Sequence, residues 1–123
     1  MSDSITLSSV AVDCPNAGEL ADFYADITGG TITFRHKAWA TIRCPGGRID
    51  FQTVLGYRPP TWPDPTSSIQ MHLDFDVDDL EASEARVVAA GATKFEFQPN
   101  DDHCYVFADP AGHPFCLTTQ DVE

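Results

Sequence analysis

The sequence predicts an α+β fold of two tandem βαβββ modules, forming an eight-stranded, partly open barrel-like cleft with the helices outside. Three observations carry this expectation. The order strand, helix, three strands can be read twice along the chain. The helix-ending glycines and the last turns of the two halves are offset by about 61 to 65 positions, the mark of a duplicated unit. The strands show one apolar parity each, as expected of sheets covered by helices on one face only. With 123 residues the chain suits one domain: a first module at about 1–56, a proline-rich connection at 57–69 and a second module at about 70–120.

Residues 4–12 are rich in β-branched and apolar types and stop at the turn-like Asp13-Cys-Pro-Asn16, which predicts a first strand. Asn16 with Glu19 has capping-box spacing, Leu20, Phe23, Tyr24 and Ile27 recur at helical intervals, and Gly29-Gly30 ends the helix. Strands follow at about 31–36, 39–44 and 48–54, the last two joined by Pro45-Gly46-Gly47. The second half begins with the strict alternation of Gln70 to Val77. Asp78 with Glu81 repeats the capping box, and a helix carrying Leu80, Val87 and Val88 ends at Gly91. Strands are expected at about 93–98, 103–108 and 113–119, with Asp109-Pro-Ala-Gly112 as the turn before the last. Between the halves, Tyr57 to Pro65 is a proline-stiffened linker that could double as a lid.

Strand parity assigns the faces. Met71, Leu73, Phe75 and Val77 form the helix-facing set of their strand, leaving Gln70, His72, Asp74 and Asp76 on the open face. By the same rule Ile49 and Phe51 point inward while Asp50 and Gln52 take the open side, and Phe115 and Leu117 face the helix while Cys116 and Thr118 do not.

Nineteen acids against seven bases give a net charge of −12, spread along the chain. Such a surface repels phosphate backbones and anionic lipids, so neither nucleic acid nor membrane is an expected partner. The amino terminus lacks signal-peptide character and no segment has the length of a bilayer span, which reads as a cytoplasmic protein. Cys14, Cys44, Cys104 and Cys116 are dispersed, without a Cys-x-x-Cys pair, and are expected as free thiols. No Gly-x-Ser-x-Gly or Walker sequence is present, so nucleophile-elbow and phosphate-loop chemistry is set aside.

Three stretches together resemble a known group: Phe23-Tyr24 with Thr28-Gly-Gly30, His72-Leu-Asp-Phe-Asp-Val-Asp-Asp-Leu80, and Asp109-Pro-Ala-Gly-His-Pro-Phe-Cys-Leu117. They are similar to the vicinal oxygen chelate superfamily, which contains glyoxalase I, extradiol dioxygenases, fosfomycin resistance proteins and bleomycin-binding proteins. The Phe51-Gln52 pair and the Trp62-Pro-Asp-Pro65 loop resemble its bacterial glyoxalase-like subgroup. The resemblance implies a single glyoxalase-like domain over the whole chain, with a divalent metal held from the first and fourth strands of each module. In this chain those corners are Ser9, Asp50 or Gln52, His72 and Cys116. Cys116 stands where glyoxalase I carries a glutamate that also moves the substrate proton, and a thiol is no equivalent carboxylate base. The resemblance therefore implies the fold more than glyoxalase I activity.

The candidate metal ligands are His72, Gln52, Asp50 and Cys116; the candidate ligand-binding residues are His72, Asp74, Tyr57, Trp62 and Ser9. His72 reads as a metal ligand or acid–base group, or else as a hydrogen-bond partner of a ligand or of Asp74. Cys116 is a ligand or nucleophile, or a small packed hydrophobe. Tyr57 and Trp62 are aromatic residues in a loop like the one over the superfamily's cleft, whereas Trp39 and Tyr105 read more simply as core. His36, His103 and His113 read as surface residues in turns or at strand edges.

Three functions compete. One is a small-molecule-binding protein of the glyoxalase and bleomycin-resistance type with no tightly bound metal. Another is a lyase, isomerase or dioxygenase whose divalent metal polarises vicinal substrate oxygens. The last is a vestigial cleft in a domain that acts by self-association, as a homodimer through exposed strand edges.

Overall fold

The computed structural model describes residues 4–66 and 71–119. It divides the chain into two units, Met1–Tyr57 and Arg58–Glu123, each a four-stranded sheet with one helix. The α+β class and the doubled βαβββ order are as the sequence predicts.

In the first unit, Asn16 takes extended backbone and its side chain accepts from the Glu19 amide at 3.1 Å, starting helix α1 (Ala17–Thr28) where expected. Gly29 ends it at φ 72°, a left-handed conformation that strains any residue with a Cβ. Leu20, Ala21, Phe23 and Tyr24 recur on one face of α1 and are buried. They pack on the sheet formed by β1 (Val10–Cys14), β2 (Thr31–His36), β3 (Trp39–Cys44) and β4 (Gly47–Thr53), in the order β1-β4-β3-β2. Tyr24 stacks on Phe51 at 5.7 Å, and Ala40, Ile42 and Ile49 complete that core. Arg35 clamps β2 to the helix through the Gly18 carbonyl and Asp22.

The first strand is shorter than residues 4–12. It pairs in parallel with β4 from Val10 opposite Ile49 to Cys14 opposite Thr53. The register runs out near Ser8, which falls level with Gly47 at the start of β4, so residues 4–7 lie beyond that strand, and Ile5 and Leu7 are exposed.

The second unit repeats the topology with β5 (Leu73–Val77), α2 (Leu80–Ala90), β6 (Thr93–Lys94), β7 (Cys104–Ala108) and β8 (Pro114–Thr119), in the order β5-β8-β7-β6. Phe107 stacks on Phe115 and Phe75 meets Phe115 edge-on, with Val87 covering them as the buried residue of α2. Four expectations need correction here. The cap of α2 is Asp79, whose carboxylate accepts from the Ala82 amide at 3.1 Å, because the helix begins at Leu80, one residue later than an Asp78 cap requires. Val88 and Met71 are exposed rather than packed. Met71 precedes the first paired residue, Leu73 opposite Phe115, and so never reaches the helix. The strand expected over 93–98 has register partners only at Thr93–Lys94, followed by one more backbone bond from the Phe95 amide to the Val106 carbonyl. Beyond it, the Gln98 side chain takes over strand pairing: its amide donates to the Phe95 and Val106 carbonyls while its oxygen accepts from the Val106 amide. Gln70 lies outside the described residues.

The loop from Arg58 to Thr66 belongs to the second unit. Trp62 packs against Phe95 and Phe97, with ring centroids 4.9 and 5.7 Å apart, and so is half-buried rather than presented to solvent. Pro59 closes on the Asp109–Gly112 turn so tightly that a Cβ at Gly112 would lie 2.7 Å from its ring. Gly112 also has φ 96°, so the turn requires glycine twice over. Asp79→Ala should lower unfolding free energy by about 1 kcal/mol in urea titration, and Asp78→Ala by no more than a few tenths.

Candidate functional site

The sheet face away from each helix carries the polar residues. In the first unit they form a network around Asp50. Although Asp50 has open-side parity, it is 3% exposed, because its neighbours close over it. Ser9 donates to Oδ2 at 2.7 Å, Thr41 donates to Oδ1 at 2.7 Å, and Arg48 donates to Oδ1 through Nε and to Oδ2 through Nη2, at 3.0 and 3.1 Å. The Trp39 indole N–H donates in turn to Thr41 at 3.2 Å. Burial pushes the Asp50 pKa up, but the hydrogen bonds from Arg48, Thr41 and Ser9 and the Arg48 charge outweigh it, holding the carboxyl below its usual range. A carboxylate offers about four lone-pair sites, and protein donors occupy all of them here. Gln52 lies next along β4, exposed and opposite Trp39. Tyr57, half-buried, donates its amide to the Val54 carbonyl.

The second unit brings together His72, Asp74 and Cys116. Asp74 is the register partner of Cys116 across the parallel β5–β8 ladder. His72 Nε2 lies 3.1 Å from Asp74 Oδ1. One ligand-type atom from each of the three residues lies within 4.8 Å of the other two. His72 and Asp74 are exposed, whereas Cys116 is 8% exposed, less open than its parity suggests. Burial, then Cys104, then Asp74 push the Cys116 thiol far above its ordinary range, so it is neutral. None of the four cysteines is in a disulfide. His113, expected as a surface residue, instead holds buried Asp109 through Nδ1 at 2.9 Å, and the same carboxylate accepts the Ala111 and His113 amides. That constellation shapes the turn before β8.

The metal implied by the resemblance meets a poor donor set. Asp50 has no free acceptor position, the Ser9 hydroxyl proton is committed to Asp50, and Cys116 is a neutral thiol. These residues do not fit the hard-cation site of the metal-dependent relatives. Sequence reasoning missed Arg48 and Thr41, which saturate Asp50, and assigned Trp39 to the core. A usable signal was present: Trp39, Thr41 and Arg43 have opposite parity to Ala40 and Ile42.

The family model for a glyoxalase-like domain matches residues 9–118. No curated protein matches the chain. Among solved structures, fosfomycin resistance protein FosX from Listeria monocytogenes is similar at 15% identity and TM-score 0.73, over 98% of this chain and 94% of that one. A glyoxalase-related enzyme from Fulvimarina pelagi is 18% identical with TM-score 0.69, over 97% and 91%. A glyoxalase/bleomycin resistance protein from Albidiferax ferrireducens is 22% identical with TM-score 0.64, over 93% and 98%. Likeness at these identities establishes the fold alone.

Two measurements check the site chemistry. The depressed Asp50 pKa stabilises the fold fully above the unfolded-state value of about 3.9, and that contribution is lost as pH falls through the lower folded-state value. Urea unfolding of Asp50→Asn should therefore lack this acid-side loss, while Asp50→Ala should cost about 2 kcal/mol or more at neutral pH by stranding Arg48. In the folded protein at about pH 8, iodoacetamide should leave Cys116 unmodified by peptide mass mapping, and should alkylate it once urea unfolds the chain.

Proposed function

The chain belongs to the glyoxalase-like domain family of the vicinal oxygen chelate superfamily, and on that premise we propose that it is a small-molecule-binding protein that holds no hard divalent metal tightly. The observation that supports this reading is the state of the corner positions. Asp50 is fully satisfied by Ser9, Thr41 and Arg48, and Cys116 is a neutral thiol where proton transfer would need a carboxylate. Ligand recognition would then fall to the open sheet faces: Ser9 and Gln52 in the first unit, and His72 and Asp74 in the second. Tyr57 and Trp62 would supply aromatic surface beside them, although Trp62 already packs on Phe95. Among the described residues no helix is long and apolar enough to cross a membrane. Cytoplasmic residence is part of the proposal, supported by four dispersed cysteines of which none is in a disulfide.

The rival is a metal-dependent lyase, isomerase or dioxygenase, favoured by the closeness of His72, Asp74 and Cys116. An imidazole, a carboxylate and a sulfur would suit a borderline-soft ion such as zinc, and only if the thiol gave up its proton. Elemental analysis separates the two. Protein purified without chelators should carry substoichiometric metal, and EDTA should change neither its melting temperature nor its stabilisation by small molecules in a thermal-shift screen. Stoichiometric metal that disappears in His72→Ala would sink the binding-protein reading in favour of the enzyme.

A further inference from the structure

Arg43 of β3 and Arg48 of β4 are direct register partners across their antiparallel ladder, which sets two arginines side by side on the open face of the first unit. Like charges so placed destabilise a sheet. Asp50 compensates one of them only, because its carboxylate takes the Nε and Nη2 of Arg48 and leaves Nη1 without a partner among the described residues. Arg43 is exposed, and no described carboxylate pairs with it. In a chain with nineteen acids and seven bases, a local excess of positive charge runs against the overall composition.

The two arginines line a cavity of about 500 Å³ together with Thr33, Phe34, Trp39 and Thr41. The β2 strand slips register between Ile32 and Phe34, which brings Phe34 opposite Thr41. A regular ladder would have put Thr33 there, so the irregularity delivers an aromatic ring to the open face. Trp39 stands on the same face, fixed by its bond to Thr41, which is itself fixed on Asp50. One end of the cavity is thus cationic and the other walls are aromatic.

We propose that this cavity binds an organic anion: a carboxylate or phosphoryl group bridging Arg43 and the free edge of Arg48, with a flat apolar body against Trp39 and Phe34. The inference rests on the small-molecule reading above and names its ligand class. Guanidinium forks match the geometry of both oxyanions, and the adjacent rings add stacking area. The Asp50 network has a positioning role, since it holds Arg48 and Trp39 in place without touching the ligand.

The test is an amide NMR titration of the whole chain with four probes: benzoate, phenylphosphonate, inorganic phosphate and neutral benzamide. Benzoate or phenylphosphonate should shift signals of β3 and β4 around Arg43 and Arg48, with affinity falling as salt rises. Whichever anion binds more tightly identifies the preferred headgroup, and phosphate alone should bind more weakly because it lacks the apolar body. Arg43→Ala should weaken binding by about tenfold and Arg43→Lys by less, while Arg86→Ala, which removes the same charge from α2, should leave it unchanged. Benzamide binding as tightly as benzoate, or full affinity in Arg43→Ala, overturns the anion assignment and leaves the small-molecule reading standing. No shift at millimolar concentration of any probe overturns the assignment too, while the thermal-shift screen of wider chemistry still judges the broader reading.

Discussion

In each module the chain leaves its first strand through a helix and returns by two antiparallel pairings, so the last strand comes to lie parallel beside the first. This parallel pair, β1 with β4 and β5 with β8, is the constraint on which the remaining structure depends. It fixes which residues face the helix, since a slip of one position in either ladder exchanges the two faces. Phe51 and Phe115, both fully buried, would turn outward, and Asp50 would enter the apolar core. A carboxylate deprived of its donors there costs several kcal/mol, so the register is defended from both sides.

The Asp50 network shows how a buried charge is tolerated in a strongly acidic chain. The desolvation penalty is offset because each carboxylate oxygen receives a hydroxyl and a guanidinium hydrogen. The donors come from the segment before β1, from β3 and from β4 itself, so the network ties neighbouring strands together on the face the helix does not cover. Its rigidity extends to Trp39 through Thr41. That face of the first unit is preorganised: the indole and one guanidinium are held, while the other guanidinium is left to solvent.

Much of this was legible in the sequence, and the failures have identifiable causes. Helix α1, the hairpin between β3 and β4 and the helix-ending glycines were readable because cap and turn residues act locally: Asn16, Gly29 and Gly91 need no distant partner. The extent of β1 was not, since it depends on where β4 begins, dozens of residues away. The strand after α2 was overread because its alternation is genuine but Gln98 supplies the pairing that a continued ladder would have supplied. Parity correctly separated Asp50 and Cys116 from Phe51 and Phe115, yet it described them as open. Burial by polar neighbours leaves no periodic trace, and Ser9, Thr41 and Arg48 converge on Asp50 from three places in the chain.

Register by register, the two modules show how one ladder supports different chemistry. Ser9, Asp50, Thr41 and Arg48 in the first unit occupy the positions that His72, Cys116, Val106 and Pro114 hold in the second. A carboxylate at position 116 would find no donor on the Val106 or Pro114 side chains, would face Asp74 across the ladder, and would be left with His72 to offset its desolvation. A thiol needs no such donors, and burial keeps it neutral. The chemistry at this corner is therefore coupled to its neighbours: carboxylate with hydroxyls and guanidinium in one module, thiol beside Cys104, Asp74 and His72 in the other. A glutamate at Cys116 alone would not reproduce the first module's network, because Val106 and Pro114 carry no donor where Thr41 and Arg48 do.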